Sequence, residues 1–337
     1  MNRVYLLRPD KQHAGEHGLR TEHDTCGVKV LESFVIVGTQ VLILFILIAL
    51  GYGLGKGKIF NQDGVRCIND LVIYVVNPCL IISAFQRKFE IELLHNFLLA
   101  LVGALLAHVI CLILALLVFR RQPDGKRKVL RFATIFSNCG FMGVPLLNAL
   151  LGADGVFYGA AYLVVFNLLI WSYGQYIMAK GSEGFSTKKI ILNPGVIAVV
   201  VGLILFFTST VIPSVIYTPI EYMAALNTPV PMLIIGYTIS KFKLKDLAGG
   251  LDEVKVYLIR LVIGPLILLG ILYGMGLRGS VLIAVIVSAS APTAALTTMF
   301  SIKFGCDEEL SARIVSTSTL LSIISMTVIV GLARYIS

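Results

Sequence analysis

Apolar runs of about twenty residues, the length that crosses ~30 Å of hydrocarbon, follow one another along almost the whole chain from Phe34 onward. A lone segment in lipid must satisfy its own backbone polar groups, so each run has to be a helix. The runs fall at residues 34–54, 65–86, 93–119, 129–151, 156–179, 194–212, 216–240, 255–277, 279–302 and 310–334. They predict an all-α polytopic membrane protein with about ten transmembrane helices in a single membrane domain. Only 14% of the residues are charged, against about 25% in soluble proteins, which leaves no room for a soluble domain.

Ahead of the first run, residues 1–33 are polar, lack apolar periodicity and read as a flexible tail. Its His13, His17 and His23 have no spacing that would fix a ligand geometry, so no metal site is expected. The first run is too long for a signal-peptide core and has no small-residue cleavage site; it stays as a span. The formal net charge is +9. Its Lys and Arg sit in short loops rather than along one amphipathic face, which argues for membrane anchoring and against a nucleic-acid partner. Lys56, Arg120, Arg121, Lys126, Arg127, Lys128, Lys180, Lys255, Arg260 and Arg313 gather on one loop side. The positive-inside rule makes that side cytoplasmic and places both termini outside. Six cysteines without CxxC or CxxH spacing predict neither zinc nor a disulfide framework.

One run is broken. Ser137-Asn138-Cys139-Gly140-Phe141-Met142-Gly143-Val144-Pro145 is a polar, Gly- and Pro-containing stretch set inside apolar sequence. Backbone freed from helical bonding costs several kcal/mol in lipid unless it lines a protein cavity, so such a break marks a binding site.

The break has a counterpart. A shift of 153 positions superimposes Pro78, Leu80, Ile81 and Ile82 on Pro231, Leu233, Ile234 and Ile235, Lys88-Phe89 on Lys241-Phe242, and Gly152 and Asp154 on Gly305 and Asp307. It also carries Ser137 onto Ser290, within a second polar, Pro-containing interruption, Ser288-Ala289-Ser290-Ala291-Pro292-Thr293. Two halves of five spans each, residues 34–180 and 187–337, would enter the membrane in opposite directions, as an inverted repeat.

Two antiparallel broken helices, the fourth and ninth, would bring two half-helix N-termini to one point, each worth roughly half a positive charge. Unpaired N–H groups there suit a carboxylate without an Arg or Lys in the core. Asn138 can donate to an anion or cap a broken helix end. Its neighbours Cys139 and Met142, Thr293 of the second break, Asn77 beside Pro78, and Asn167 in the apolar run before Trp171 complete the expected substrate-binding set. Phe141 and Met142 serve either as an apolar wall or as packing. Ser137, Gly140, Gly143 and Pro145, with Ala291 and Pro292, define the breaks themselves. Asp70, His108 and Glu221 are the ionisable residues to weigh for ion coupling, although helix ends tolerate charge readily. No HExxH, GxSxG or paired intramembrane Asp is present, so neither an enzyme nor a cofactor is expected.

From Asn138 to Leu146 the sequence Asn-Cys-Gly-Phe-Met-Gly-Val-Pro-Leu resembles the Asn-x-x-x-Met-Gly-(Ile/Val)-Pro-Leu signature of the auxin efflux carrier family, which includes plant auxin exporters and bacterial carriers of malate- and malonate-like acids. Asn77-Pro78, Pro231 to Gly236 and Ala291-Pro292 are similar to family positions, and the likeness covers about residues 31 to 336. It implies two inverted five-helix repeats with crossed helices four and nine, a scaffold and a transport subdomain, and often a homodimer; the mechanism expected of such a carrier here is of the elevator type. It also implies that the signature Asn, here Asn138, contacts the substrate carboxylate, and that Asn167 stands where plant members place a site-lining Gln. Two departures matter: Ser137 replaces the Pro of plant exporters, and the fifth-to-sixth connection is only Lys180 to Asn193. The expectation is a compact bacterial-type secondary carrier of a small organic anion in the inner membrane. A sodium-coupled symporter of the bile-acid type is the alternative within transport, and a membrane receptor or enzyme the alternative outside it.

Overall fold

A computed structural model describes the backbone of residues 17–179, 194–241 and 249–337, and side chains from Phe34 onward. The connection from Lys180 to Asn193, and the histidine side chains of the tail, lie outside the described residues. Every regular element among the described residues is a helix. Seven segments are long and apolar enough to cross a membrane: Phe34–Lys56, Gln62–Ala84, Ile91–Val118, Cys139–Met178, Ser214–Ser240, Leu251–Gly274 and Glu308–Ile336. Pro194–Phe207 and Gly279–Ser290 are shorter apolar helices. The protein is therefore an all-α polytopic membrane protein. Large apolar side chains such as Leu42, Ile46, Leu98, Leu105, Ile113 and Val328 point outward, as a hydrocarbon solvent requires.

Several boundaries differ from the hydropathy reading for local reasons. The tail was expected to be unstructured to residue 33, yet the backbone from His17 is helical and runs straight into the first span, to Lys56. The expected 216–240 run is two helices, Ser214–Ala225 and Pro229–Ser240. Pro229 and Pro231 lie in the first turn of the latter, where a missing N–H costs nothing. The expected 279–302 run ends as a helix at Ser290 and restarts as Leu296–Phe304.

Two sets of helices carry most of the packing, and the first helix belongs to both, lying on Pro229–Ser240 and also on Glu308–Ile336, where Gly331 admits the Phe34 ring. In one, the first helix lies on Pro229–Ser240, and Asn77–Ala84 lies on Pro194–Phe207 and Ser214–Ala225. Gly51 and Gly236 make the first of these contacts: a Cβ at Gly51 would collide with the Leu233 backbone, and one at Gly236 with the backbone of Ile48 and Tyr52. Small residues let backbones approach where lipid supplies no hydrophobic drive. In the other set, Ile91–Val118, Cys139–Met178, Leu251–Gly274, Gly279–Ser290 and Glu308–Ile336 surround the larger buried core, which also takes in Val37, Ile81, Phe85 and Phe206 of the first set. An aromatic seam joins the two sets, with the Phe85 ring 5.6 Å from Phe97 and 5.5 Å from Phe157.

Two glycines shape the segments that follow the breaks. Gly152 (φ 60°, ψ −143°) interrupts the long Cys139–Met178 segment, and Gly305 (φ 62°, ψ 37°) ends Leu296–Phe304. Both hold positive φ, which side-chain-bearing residues resist, and they are the pair matched by the 153-residue shift. After the second glycine, Asp307 caps Glu308–Ile336 by accepting from the Leu310 N–H at 2.9 Å. Asp154, its counterpart by the same shift, pairs instead with Arg87 at 2.8 Å.

Candidate functional site

Asp124–Ile135 stops at Phe136, whose backbone is extended, and the chain resumes as a π-helical turn, Cys139–Gly143, before Val144–Leu169. Gly279–Ser290 stops at Ala291 and the chain resumes at Leu296. The two interruptions cross and form an antiparallel bridge between Ser137 and Thr293. The Asn138 N–H donates to Pro292 O at 2.6 Å, and the Ala294 N–H donates to Phe136 O at 2.9 Å. Each break thus satisfies backbone groups that the other leaves open, which is what makes non-helical backbone tolerable at depth. Pro292 has no N–H to satisfy and offers only its carbonyl. Pro145 sits in the first turn of its helix, where φ is already suitable. Thr293 lies three residues beyond the Ser290 that the uniform shift assigns to Ser137. The second arm, from its break to Gly305, is shorter than the first by that amount.

Beside the crossing lies a cleft whose empty space, its open mouth included, is about 530 Å³. Asn77, Asn138 and Asn167 line it together, with apolar walls from Ile73, Phe141, Leu163, Phe166, Trp171 and Leu296, and backbone from Gly140, Gly195, Ala294 and Ala295. No lining residue is charged. Among the described residues the Asn138 Nδ2 and the Asn77 Oδ1 are buried without hydrogen-bond partners. The Asn167 Nδ2 donates to Leu163 O at 2.9 Å. By helix geometry the N–H groups of a first turn have no intrahelical partner. Gly140, in the first turn of one resumed helix, and Leu296, which opens the other, both face this cleft.

Other expected site residues lie elsewhere. Cys139 is buried in the larger core. Met142 is fully buried among Leu44, Ile48, Met232 and Ile235, so of the two readings weighed for it the packing one fits its place, while Phe141 reaches the cleft. Thr293 does not line the cleft either; its Oγ1 donates to Ala133 O at 3.1 Å and its N–H to Ser318 Oγ at 3.3 Å, holding the second break in place. Ser137 is buried in the bridge, and Gly143 lets the first break pass close to the Ser288 backbone. Asp70 and Glu221 are exposed and away from the cleft. His108 is buried in a cage of Phe136, Tyr162 and Phe166, its Nδ1 2.7 Å from Ala104 O. It touches the cleft only through Phe166.

Two residues were missed. Asn227, between Ser214–Ala225 and Pro229–Ser240, donates from Nδ2 to Gly140 O at 3.1 Å and braces the first break. Arg260, sorted above with the cytoplasmic loops, is buried at 1% exposure inside Leu251–Gly274. It donates from Nη1 to Ile135 O at 3.2 Å and Thr134 O at 3.4 Å, and from Nη2 to Ala289 O. The cleft itself holds no Arg or Lys, and Arg260 lies outside its lining. The signal was present, because Arg260 stands within Val256-Tyr-Leu-Ile-Arg-Leu-Val-Ile, too deep in an apolar run for a loop residue.

A multi-pass, all-helical membrane protein with two crossed helix breaks and a polar-ended cleft is built to pass a small molecule across the bilayer. The chain belongs to the membrane transport protein family, the auxin efflux carrier family, whose model matches residues 36–330. It is similar to an uncharacterized transporter of Methanothermobacter thermautotrophicus, 27% identical over 291 residues that cover 85% of this chain and 95% of that one. A second uncharacterized transporter, from Methanocaldococcus jannaschii, is 23% identical and covers 84% of this chain and 94% of its own. A protein of Rhizobium meliloti named "Putative malonate transporter" is 24% identical over 310 residues, 87% of this chain and 95% of that one. This is an integral membrane transporter of a small molecule.

Proposed function

We propose that the protein is a secondary active carrier of a small organic anion, and that the carboxylate binds in the cleft beside the crossing. The observation that carries this is the convergence of two helix N-termini and three asparagine side chains on one otherwise apolar, uncharged cleft. Each N-terminus contributes roughly +0.5 charge, enough together to balance one carboxylate. The free Nδ2 of Asn138 supplies a directed donor.

Two inverted five-helix halves are supported by the Gly152 and Gly305 pair and by the two breaks. An elevator motion of the crossed helices against the rest of the bundle is part of the same reading. The excess of basic loop residues supports an inner-membrane orientation with both termini outside. A homodimer belongs to the same reading, as does coupling to a proton gradient or, if the carbonyl ends at the crossing are open to a soluble cation, to sodium. The name of the Rhizobium relative makes malonate one anion to try.

The test is thermal unfolding of the purified protein with malonate, malate, succinate, lactate and indole-3-acetate. A ligand at about 100 times its Kd stabilises by roughly 2.7 kcal/mol. We expect a shift with at least one acid, its loss in Asn138→Ala, and accumulation of that acid, chemically unchanged, in liposomes. A shift that survives Asn138→Ala would remove Asn138 from the site, and chemical conversion of the acid would overturn the carrier reading.

A further inference from the structure

A broken helix has two ends of opposite sign, and the cleft uses only one of each pair. The other ends, at Ile135 and Ser290, are buried in the protein behind the crossing, with Thr134, Ile135, Ala289 and Ser290 all within the core. Each is worth roughly half a negative charge, and the carbonyls of the last turn lack intrahelical donors. A polar cluster of this kind, buried away from water, needs a cation or a set of donors.

Arg260 supplies both. Its guanidinium reaches the last turn of Asp124–Ile135 through Thr134 O and Ile135 O, and the last turn of Gly279–Ser290 through Ala289 O. Cys111 Sγ lies 3.5 Å from Nη1 as a weak acceptor. The residue occupies the π-helical turn Ile259–Ile263, where one extra residue per turn shifts the facing of the side chains. None of the carboxylates in ion pairs among the described residues is paired with it: Asp154, Asp252, Asp124, Glu253 and Glu309 have other partners. Its charge is balanced by two helix dipoles, and the fork geometry of the guanidinium lets a single group bridge both ends.

In transporters with discontinuous helices, half-helix C-termini and unwound carbonyls are where a sodium ion or proton can be held. We propose that Arg260 is the resident cation of this crossing, a positioning residue that ties both half-helix C-termini together so that no soluble cation is taken up there. The consequence for coupling rests on the crossing being the transport site. The structural claim does not.

The test uses the full-length purified protein without substrate, so that its failure is separate from any failure of anion binding. Thermal unfolding is followed in sodium, potassium and N-methylglucamine chlorides at one ionic strength. The wild type is expected to unfold at the same temperature in all three. Arg260→Met leaves several buried carbonyls unpaired and is expected to lower Tm by about 10 °C. Part of that loss should return with millimolar guanidinium, far below denaturing concentrations, or with sodium, and not with N-methylglucamine. Arg260→Lys, which keeps the charge and loses the fork, should fall between the two. A saturable sodium stabilisation of the wild type would overturn the proposal. So would an Arg260→Met loss of the same size in every salt that guanidinium does not reverse, since that is the result of packing alone. If Arg260→Met does not accumulate, the wild-type salt series and Arg260→Lys decide: a lysine variant as stable as wild type would also overturn it, because one point charge would then replace the bridge.

Discussion

The two faces of the crossing are made from the same pair of broken helices and are finished in opposite ways. On the N-terminal face the orphan groups are N–H donors, and the chain surrounds them with amides, aromatic rings and no charge. On the C-terminal face the orphan groups are carbonyls, and the chain inserts a guanidinium that is 1% exposed. The carbonyls of one face are met from within the chain. The other is left for a ligand, and the difference identifies which side of a helix break is the binding side.

That contrast can be broken most sharply at Asn138. Asn138→Asp places a carboxylate among the donors meant for an incoming anion, and like charges in such a site cost several kcal/mol. We expect anion affinity, read by titrated thermal shift, to fall about 100-fold or more. An unchanged affinity would mean that the anion binds elsewhere. The arms leading away from the two breaks come next. Gly152 is in a φ/ψ region that is essentially glycine-only, and Gly152→Ala should cost about 2 kcal/mol in denaturant unfolding although no atom blocks the new methyl. Within the cleft, Asn167→Ala is expected to weaken the anion about tenfold, the worth of one hydrogen bond to a charged group. Equal losses at Asn138→Ala and Asn167→Ala would make the site symmetric rather than centred on the first break.

Gly305 is in the ordinary left-handed region, so Gly305→Ala should cost only about 1 kcal/mol and Gly305→Asn less. The ratio of the two glycine effects measures how unlike the two arms are. The smallest effect belongs to the exposed carboxyls. Asp70→Asn and Glu221→Gln should leave the pH profile of anion binding within error of wild type, because neither residue lines the cleft. A displaced profile would bring ion coupling out to a helix end.

Local chemistry made much of this visible before any coordinates. A run of about twenty apolar residues has one affordable backbone conformation in lipid, so the spans were readable. A Ser-Asn-Cys-Gly run ahead of Gly-Val-Pro cannot continue a helix quietly, so the break at Asn138 was readable as well. The 153-residue shift located the second break, but placed it three residues from where Thr293 meets Ser137. A uniform shift cannot detect a shorter arm that keeps both glycines in register.

What remained hidden was which partner each polar group meets. Met142 and Phe141 are adjacent in the same motif, yet Met142 is buried against the first helix and Phe141 lines the cleft. Asn227, beside two prolines in the sequence, is a brace on Gly140. Sorting basic residues by loop side put Arg260 among the cytoplasmic ones. Hydropathy and turn chemistry are set by neighbours along the chain, and from them the sequence established a polytopic helical transporter with a break at Asn138. The pairing of Arg260 with carbonyls more than a hundred residues distant, and the separation of the crossing into a dry cationic face and an open amide face, depended on how two helices pass one another. Only packing between distant segments sets that geometry.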